Sequence, residues 1–321
     1  MRTQVTEFIN ACASSFSDLL TRALRKRVLV QLETLSSCRK EELPDSVMTS
    51  PAALCRGKGF SMALVLERQL AFSVLDTLLG GDGKVEVENR PFSDVEKAVS
   101  SSFMEKLVLC LDSIWRWGSS IPLEGDGMAE YFSESSFAPA VETLLVAVLN
   151  VTWDKSWRKM YLCIPGSDLE MVETVLRNAF DDQGNVPLSA ELGSSDLQRK
   201  EAQQLGVGDV VCLAQPKGGL VVRAGRKAQF LAQSGAVGDK LAVSIVCTYE
   251  GPDAGVSPVT ALLGCTKCHW KELLALDAGD VLVLDRRRMS PVPLLIAGEP
   301  EAEGEVVVID NRLGVRIKKL F

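Results

Sequence analysis

Leu205-Gly206-Val207-Gly208-Asp209-Val210-Val211 and, further on, Leu276-Asp277-Ala278-Gly279-Asp280-Val281-Leu282 are two versions of one phrase. Other landmarks repeat with them. Ala224-Gly225 answers Ala297-Gly298, and Leu241-Ala242-Val243-Ser244-Ile245 answers Leu313-Gly314-Val315-Arg316-Ile317. From Gly208, Ala224 and Leu241 to their counterparts the spacings are 71, 73 and 72 residues. A nearly constant period marks an internal duplication, so residues 201–250 and 259–321 are read as two copies of one small β module, joined by a connector at 251–258. A module of this size has a marginal core alone, so the copies are expected to intertwine with each other or to pair with a separate protein of the same type.

Ahead of the first copy, residues 181–200 lose periodicity and gain Gly, Ser and charge, as a linker does. Residues 1–180 alternate helix and strand signals and are read as one α+β domain. Apolar residues from Val5 through Phe8, Ile9, Cys12, Phe16, Leu19, Leu20 and Ala23 recur at three and four, predicting a first helix that stops at Arg25-Lys26-Arg27. Val28–Leu35 and Phe60–Leu66 read as strands with an irregular stretch between them, and Leu70–Leu79 as a helix capped by Gly80-Gly81. Ser93-x-x-Glu96 is a capping box that should open a long helix through Ile114. Two strands follow, at Leu144–Val151 and Met160–Ile164, and a second box, Ser167-x-x-Glu170, should open another helix.

The 321 residues, 46% apolar and 24% charged, suffice for a substantial core and exclude a disordered or coiled-coil chain. A formal charge of −7 argues against a general nucleic-acid or anionic-membrane surface, which leaves proteins as the expected partners. Nine cysteines, an odd number scattered through apolar stretches behind no secretory signal, predict reduced thiols in a cytosol. The single histidine, His269, makes a Ser-His-Asp or Cys-His hydrolase, or a multi-histidine metal site, hard to build. No cofactor, metal or small-molecule substrate is expected.

These motifs carry a resemblance. The Leu-x-x-Gly-Asp-Val modules, with the closing Gly-Val-Arg-Ile strand of the second, resemble SpoA (surface presentation of antigens) domains, which build the wall of the cytoplasmic ring in flagella and type III secretion injectisomes. Upstream, Leu78-Leu79-Gly80-Gly81-Asp82-Gly83, Arg90-Pro91-Phe92-Ser93-x-x-Glu96 and Leu162-Cys163-Ile164-Pro165 resemble the middle domain of the FliM family of flagellar motor switch proteins, whose fold is similar to that of the CheC phosphatases. The resemblance implies an α+β CheC-like domain followed by two all-β SpoA domains. It implies a contact loop for the rotor protein FliG at Gly80, Gly81, Asp82, Gly83 and Arg90, and SpoA pairing motifs at Gly208, Asp209, Gly279 and Asp280. Implied partners are a FliG-like protein, a FliN-like or other SpoA protein, and further copies of the chain in a ring on the cytoplasmic face of the inner membrane. The family's segment for phosphorylated CheY has no counterpart ahead of the first helix, which argues against direct response-regulator control.

Other readings compete. Two SpoA domains in series is also the arrangement of the injectisome sorting-platform protein SctQ. Glu7-x-x-Asn10 is the pair with which CheC-type phosphatases orient a water on an aspartyl phosphate, but Thr3 stands where those enzymes carry Asp or Ser, and residues 93–114 contain no asparagine. Cys265-x-x-Cys268-His269 matches the attachment signature of c-type haem; with no export signal, it is read as two strand thiols and an exposed histidine.

Overall fold

A computed structural model of the chain describes residues 3–85, 90–135, 142–154, 156–197, 199–202, 204–217, 219–225, 227–249, 251, 259–309 and 312–321. Most of the expected connector, 252–258, thus lies outside the described residues. Two compact units are present: Met1–Trp115 with Ile121–Asn178, and Arg116–Ser120 with Ala179–Phe321.

In the first unit, α1 (Thr3–Leu24) buries Val5, Phe8, Ile9, Cys12, Phe16 and Leu20 of the predicted stripe, while Leu19 and Ala23 are only half-buried. The chain turns at Arg25, which takes a left-handed φ of 52°, into β1 (Val28–Arg39). The stretch expected to be irregular holds a short 3-10 turn at Lys40–Glu42, then α2 (Asp45–Met48) and β2 (Ala52–Gly57). There follow β3 (Phe60–Leu66), α3 (Arg68–Leu78), α4 (Asp94–Trp115), β4 (Glu124–Ala129), β5 (Thr143–Trp153), β6 (Ser156–Pro165) and α5 (Leu169–Ala179). The strands make one antiparallel sheet in the order β1-β5-β6-β3-β2-β4.

Strand β3 is apolar at nearly every position because both its faces are covered. Ala63 and Val65 join a cluster with Leu43, Val47, Phe132 and Val146. Phe60 points the other way, onto Trp115 of α4 at 4.7 Å between ring centroids, and Phe8 of α1 meets the same indole edge-on at 6.2 Å. Burying rings of this size is worth roughly 2–3 kcal/mol each, so α1 and α4 are held to the sheet by few but large contacts.

The second capping box does not form: the Ser167 hydroxyl donates to its neighbour Asp168, and Asp168 accepts from the Ser61 backbone N–H at 2.8 Å, tying the start of α5 to β3 instead.

The second unit corrects the linker expectation. Residues 185–195 are not a linker but a strand, β7 (Asn185–Ser195). Its Val186, Leu188, Ala190 and Leu192 are buried, and the Gly and Ser around them conceal that alternation in the sequence. After it come α6 (Arg199–Ala202), β8 (Val210–Cys212), β9 (Leu220–Ala224), β10 (Lys227–Val237) and β11 (Lys240–Thr248). The second copy is β12 (Val259–His269), α7 (Trp270–Ala275), β13 (Val281–Arg287), β14 (Val292–Ile296), β15 (Glu299–Ile309) and β16 (Arg312–Leu320). Moved on by 72 positions, the limits of β9, β10 and β11 fall on those of β14, β15 and β16. The true counterpart of Gly225 is therefore Ala297, not Gly298, and the two share a left-handed turn with φ of 56° and 54°.

All ten strands form one sheet, ordered β13-β11-β10-β9-β7-β12-β14-β15-β16-β8. The order is palindromic. Each half ends on a strand lent by the other copy: β13 pairs with β11, and β8 with β16. Leu192, Val211 and Leu213 of the first copy share a core with Val259, Leu294, Val315 and Ile317 of the second. Of the two pairings anticipated for the modules, the chain adopts the internal one.

Candidate interaction surfaces

The glycine loop is shaped by the end of α3. Gly81 N–H donates to Asp76 O at 2.7 Å and Gly80 N–H to Thr77 O at 3.1 Å, the paired bonds of a Schellman cap, with Gly80 at a φ of 99° that disfavours any side chain. The Asp76 carboxylate then accepts from Gly83 N–H at 2.9 Å, and Gly83 is also left-handed, with a φ of 77°. A β-carbon on Gly81 would sit 2.0 Å from that carboxylate. Lys26, just after α1, reaches the carbonyl of Asp82 at 3.1 Å. Asp82 itself accepts from the Lys84 backbone N–H and pairs with the Lys84 ammonium, which together hold its carboxyl below the usual range. The result is a short, internally braced loop.

Beside it the last residues of α3 break the helix's apolar stripe: Leu78 and Leu79 are 42% and 56% exposed. The sequence motif contains them, yet their exposure was not foreseen. Helical spacing gave no warning, since Leu78 and Leu79 stand four residues after the buried Val74 and Leu75; they are exposed because they lie where the helix ends.

Arg90 has an internal task. Its guanidinium holds Glu96 through two bonds, of 2.8 and 2.7 Å, and its carbonyl accepts from Arg68. Arg68, at the start of α3, lies over the rings of Phe72, Phe92 and Tyr131 at 5.2–5.5 Å. The predicted box closes α4: Ser93 N–H donates to Glu96 at 2.8 Å and Glu96 N–H to the Ser93 hydroxyl at 3.3 Å. Arg90 and the box together pull the Glu96 carboxyl down to about 2. One salt-bridged carboxylate thus starts α4 and fixes the returning end of the loop.

The two Leu-x-x-Gly-Asp motifs form matching turns. Asp209 Oδ2 accepts from Gly206 N–H at 2.7 Å, and Asp280 Oδ2 from Asp277 N–H at 2.9 Å. Gly208 and Gly279 have φ of 99° and 98°. Each turn then grips the other copy. Gly208 N–H donates to Ile317 O and Ile317 N–H to Asp209 O, both at 2.9 Å, while Gly279 and Asp280 make the same exchange with Ile245 at 2.8 Å. Aspartate closes the turn, glycine permits it, and the freed backbone clasps the final strand of the opposite module.

A model of the flagellar motor switch protein FliM matches residues 2–180, and a model of the type III flagellar switch regulator (C-ring) FliN C-term matches residues 182–248 and again 257–321. This chain belongs to the FliM family of flagellar motor switch proteins. It is 23% identical over 269 residues to the FliM of Borreliella burgdorferi, covering 75% of this chain and 76% of that one, and 24% identical over 258 residues to the FliM of Treponema pallidum, covering 72% and 74%. A 63-residue stretch, 20% of the chain, is 48% identical to the FliN of Pectobacterium carotovorum subsp. carotovorum and covers 59% of that protein. Among solved structures, a FliG-FliM complex from H. pylori aligns at a TM-score of 0.48 and 20% identity over 54% of this chain and 96% of that one.

Within this FliM-family chain the haem-like motif dissolves. Cys265 and Cys268 sit in β12 with Cys265 half-buried and Cys268 buried, and burial with the nearby Glu272 pushes the Cys268 thiol up to about 11. His269 is not exposed, as expected, but half-buried: its Nδ1 accepts from Lys271 N–H at 3.2 Å and caps α7. Among the described residues no cluster of three His, Cys, Asp or Glu side chains is placed to hold a metal. Glu7 and Asn10 are both half-buried on α1. No helix among the described residues is long and apolar enough to cross a membrane.

Proposed function

We propose that this FliM-family protein is a structural and switching component of a flagellar cytoplasmic ring, contacting a FliG-like rotor protein through the Gly80–Gly83 loop and Leu78 and Leu79. The observation that carries this reading is a rigid glycine turn, braced by Asp76 and Lys26, flanked by two solvent-facing leucines at a helix end. Exposed leucines on a preshaped element are what a protein interface buries at little ordering cost. The FliM of H. pylori is found in complex with FliG, and a FliG-like partner is proposed here on family membership. The intertwined C-terminal modules would belong to the lower wall of the ring, with FliN-like partners and neighbouring copies beside them, at the cytoplasmic face of the membrane. Force and direction would pass through interfaces, without covalent chemistry. The phosphatase reading is set aside because α4 offers no asparagine to complete the Glu7-Asn10 pair.

A pull-down with the full chain from its own host tests this. The wild type should recover a FliG-like protein, and Leu79→Asp, which changes a side chain that is mostly in solvent, should lose it while retaining FliN-like partners. Retention of the FliG-like protein by the variant removes the loop from the interface. Recovery of injectisome adaptor and stalk proteins in place of FliG would move the protein to secretion.

A further inference from the structure

The ten-stranded sheet has an approximate two-fold axis, and the residues that meet on it are unlike. In the β7–β12 pairing Gly193 lies opposite Ala261, Glu191 opposite Leu262, and Ala190 opposite Gly264, with Leu192 and Leu263 bulged from the ladder. A shift of 71 positions exchanges the outer two pairs and returns the middle pair to itself. The axis therefore passes between Glu191 and Leu262. The Glu191 side chain is only 14% exposed, and its carboxylate accepts from Arg223 Nε at 2.7 Å, the arginine side chain being 9% exposed. Arg223 stands opposite Ser189 on β9, and its counterpart Leu295 stands opposite Thr260 on β14. One copy thus brings a buried Glu-Arg pair to the axis and the other brings two leucines. Other structural positions are shared, as at Leu192 and Leu263, Leu241 and Leu313, or Gly208 and Gly279.

We propose that this asymmetry selects the pairing, so that the first copy pairs with a second copy and not with the first copy of another chain. Two first copies would set Glu191 against Glu191 directly across the axis. Like charges at opposed positions on neighbouring strands repel, and a site this dry screens them little. Each Arg223 is held beside its own module's carboxylate on the flanking strand, so no cation separates the two. Opposite Leu262 the carboxylate meets no charge. A clash built into the wrong pair is how closely related interfaces stay distinct. Because linked copies face each other at an effective concentration near the millimolar range, the permitted unlike pair closes within one chain. A second chain can reach this chain's first copy only by offering its own second copy.

The test uses full-length chains carrying two different tags, co-expressed and then highly diluted, which dissolves surface contacts but leaves exchanged strands in place. Wild-type tags should separate. Glu191→Leu with Arg223→Leu, co-expressed with a differently tagged Leu262→Glu with Leu295→Arg chain that cannot close on itself without a like-charge clash, should make the tags co-purify after dilution, because each copy then finds a compatible copy in the other chain. Leu262→Glu with Leu295→Arg places like charges on the axis within one chain, and proteolysis of the C-terminal unit should accelerate at least roughly tenfold. Combining all four substitutions restores an unlike pair with the polarity reversed, and should return both tag separation and protease resistance to wild type. Two results overturn the proposal: a fourfold variant no more resistant than Leu262→Glu with Leu295→Arg, or separating tags when the two double variants are co-expressed.

Discussion

Glu96 joins two jobs in one carboxylate, and its protonation should undo both. With its folded value lowered to about 2 against an ordinary 4.5, it contributes stability that is fully present above pH 4.5 and is lost as the pH falls toward 2. Glu96→Gln keeps a side chain that can complete the capping box but carries no charge to pair with Arg90. The variant should be less stable than wild type at pH 7, and the gap should close on acidification, as read by denaturant midpoints across that range. Glycines in the same unit should respond in opposite senses. Gly83 has a φ of 77°, and an added β-carbon would lie 2.8 Å from the Thr77 hydroxyl, so Gly83→Ala should cost about 1–2 kcal/mol. Gly125 in β4 has nothing closer than 4.0 Å and no left-handed φ, so Gly125→Ala should be neutral or stabilise by up to about 1 kcal/mol. Urea unfolding of both variants checks the sign.

At the scale of elements, what could be read from the sequence was what is decided locally. The Ser93 box places its donors and acceptors within four residues, and α4 begins where it says. Ser93→Ala should lower stability by about 1 kcal/mol and loosen the first turn of α4, measurable by amide exchange. Gly80 after Leu79 likewise announces the end of α3. The failures lie where a distant partner decides. Strand β7 carries period-two apolar residues, but Pro187, Gly193 and a serine-rich tail read as linker; the strand exists because β12 and β9 supply its ladder from elsewhere in the chain. Strand β4, with glycines at 125 and 127, is poor in β-formers and persists through its pairing with β2. The second box at Ser167 had the right letters, yet Asp168 was already engaged by β3. Of the glycine loop, the glycines were legible and the organising Asp76 was not, because its role appears only once the turn brings it beneath Gly83.

For the whole molecule, the duplication was visible as a period, while its consequence, a sheet in which each copy completes the other, was not. Strand β8 is only three residues long and pairs with β16, and β13 pairs with β11, so neither copy is a closed body by itself. If so, an engineered protease site placed between residues 250 and 258 should cut the chain without separating the halves: the fragments should co-elute under native conditions and part only in denaturant. Immediate dissociation after the cut would mean that the connector, and not the shared sheet, holds the copies together.

The same reciprocity bears on how the protein is made. Cys212 finds its sheet neighbour at Gly314, roughly a hundred residues downstream, and such distant contacts are slow to form. As the chain leaves the ribosome, the first module must wait with an unfilled edge and a half-built core until β16 has been added. A chain interrupted ahead of β16 would therefore leave β8, made about a hundred residues earlier, without the strand it pairs with.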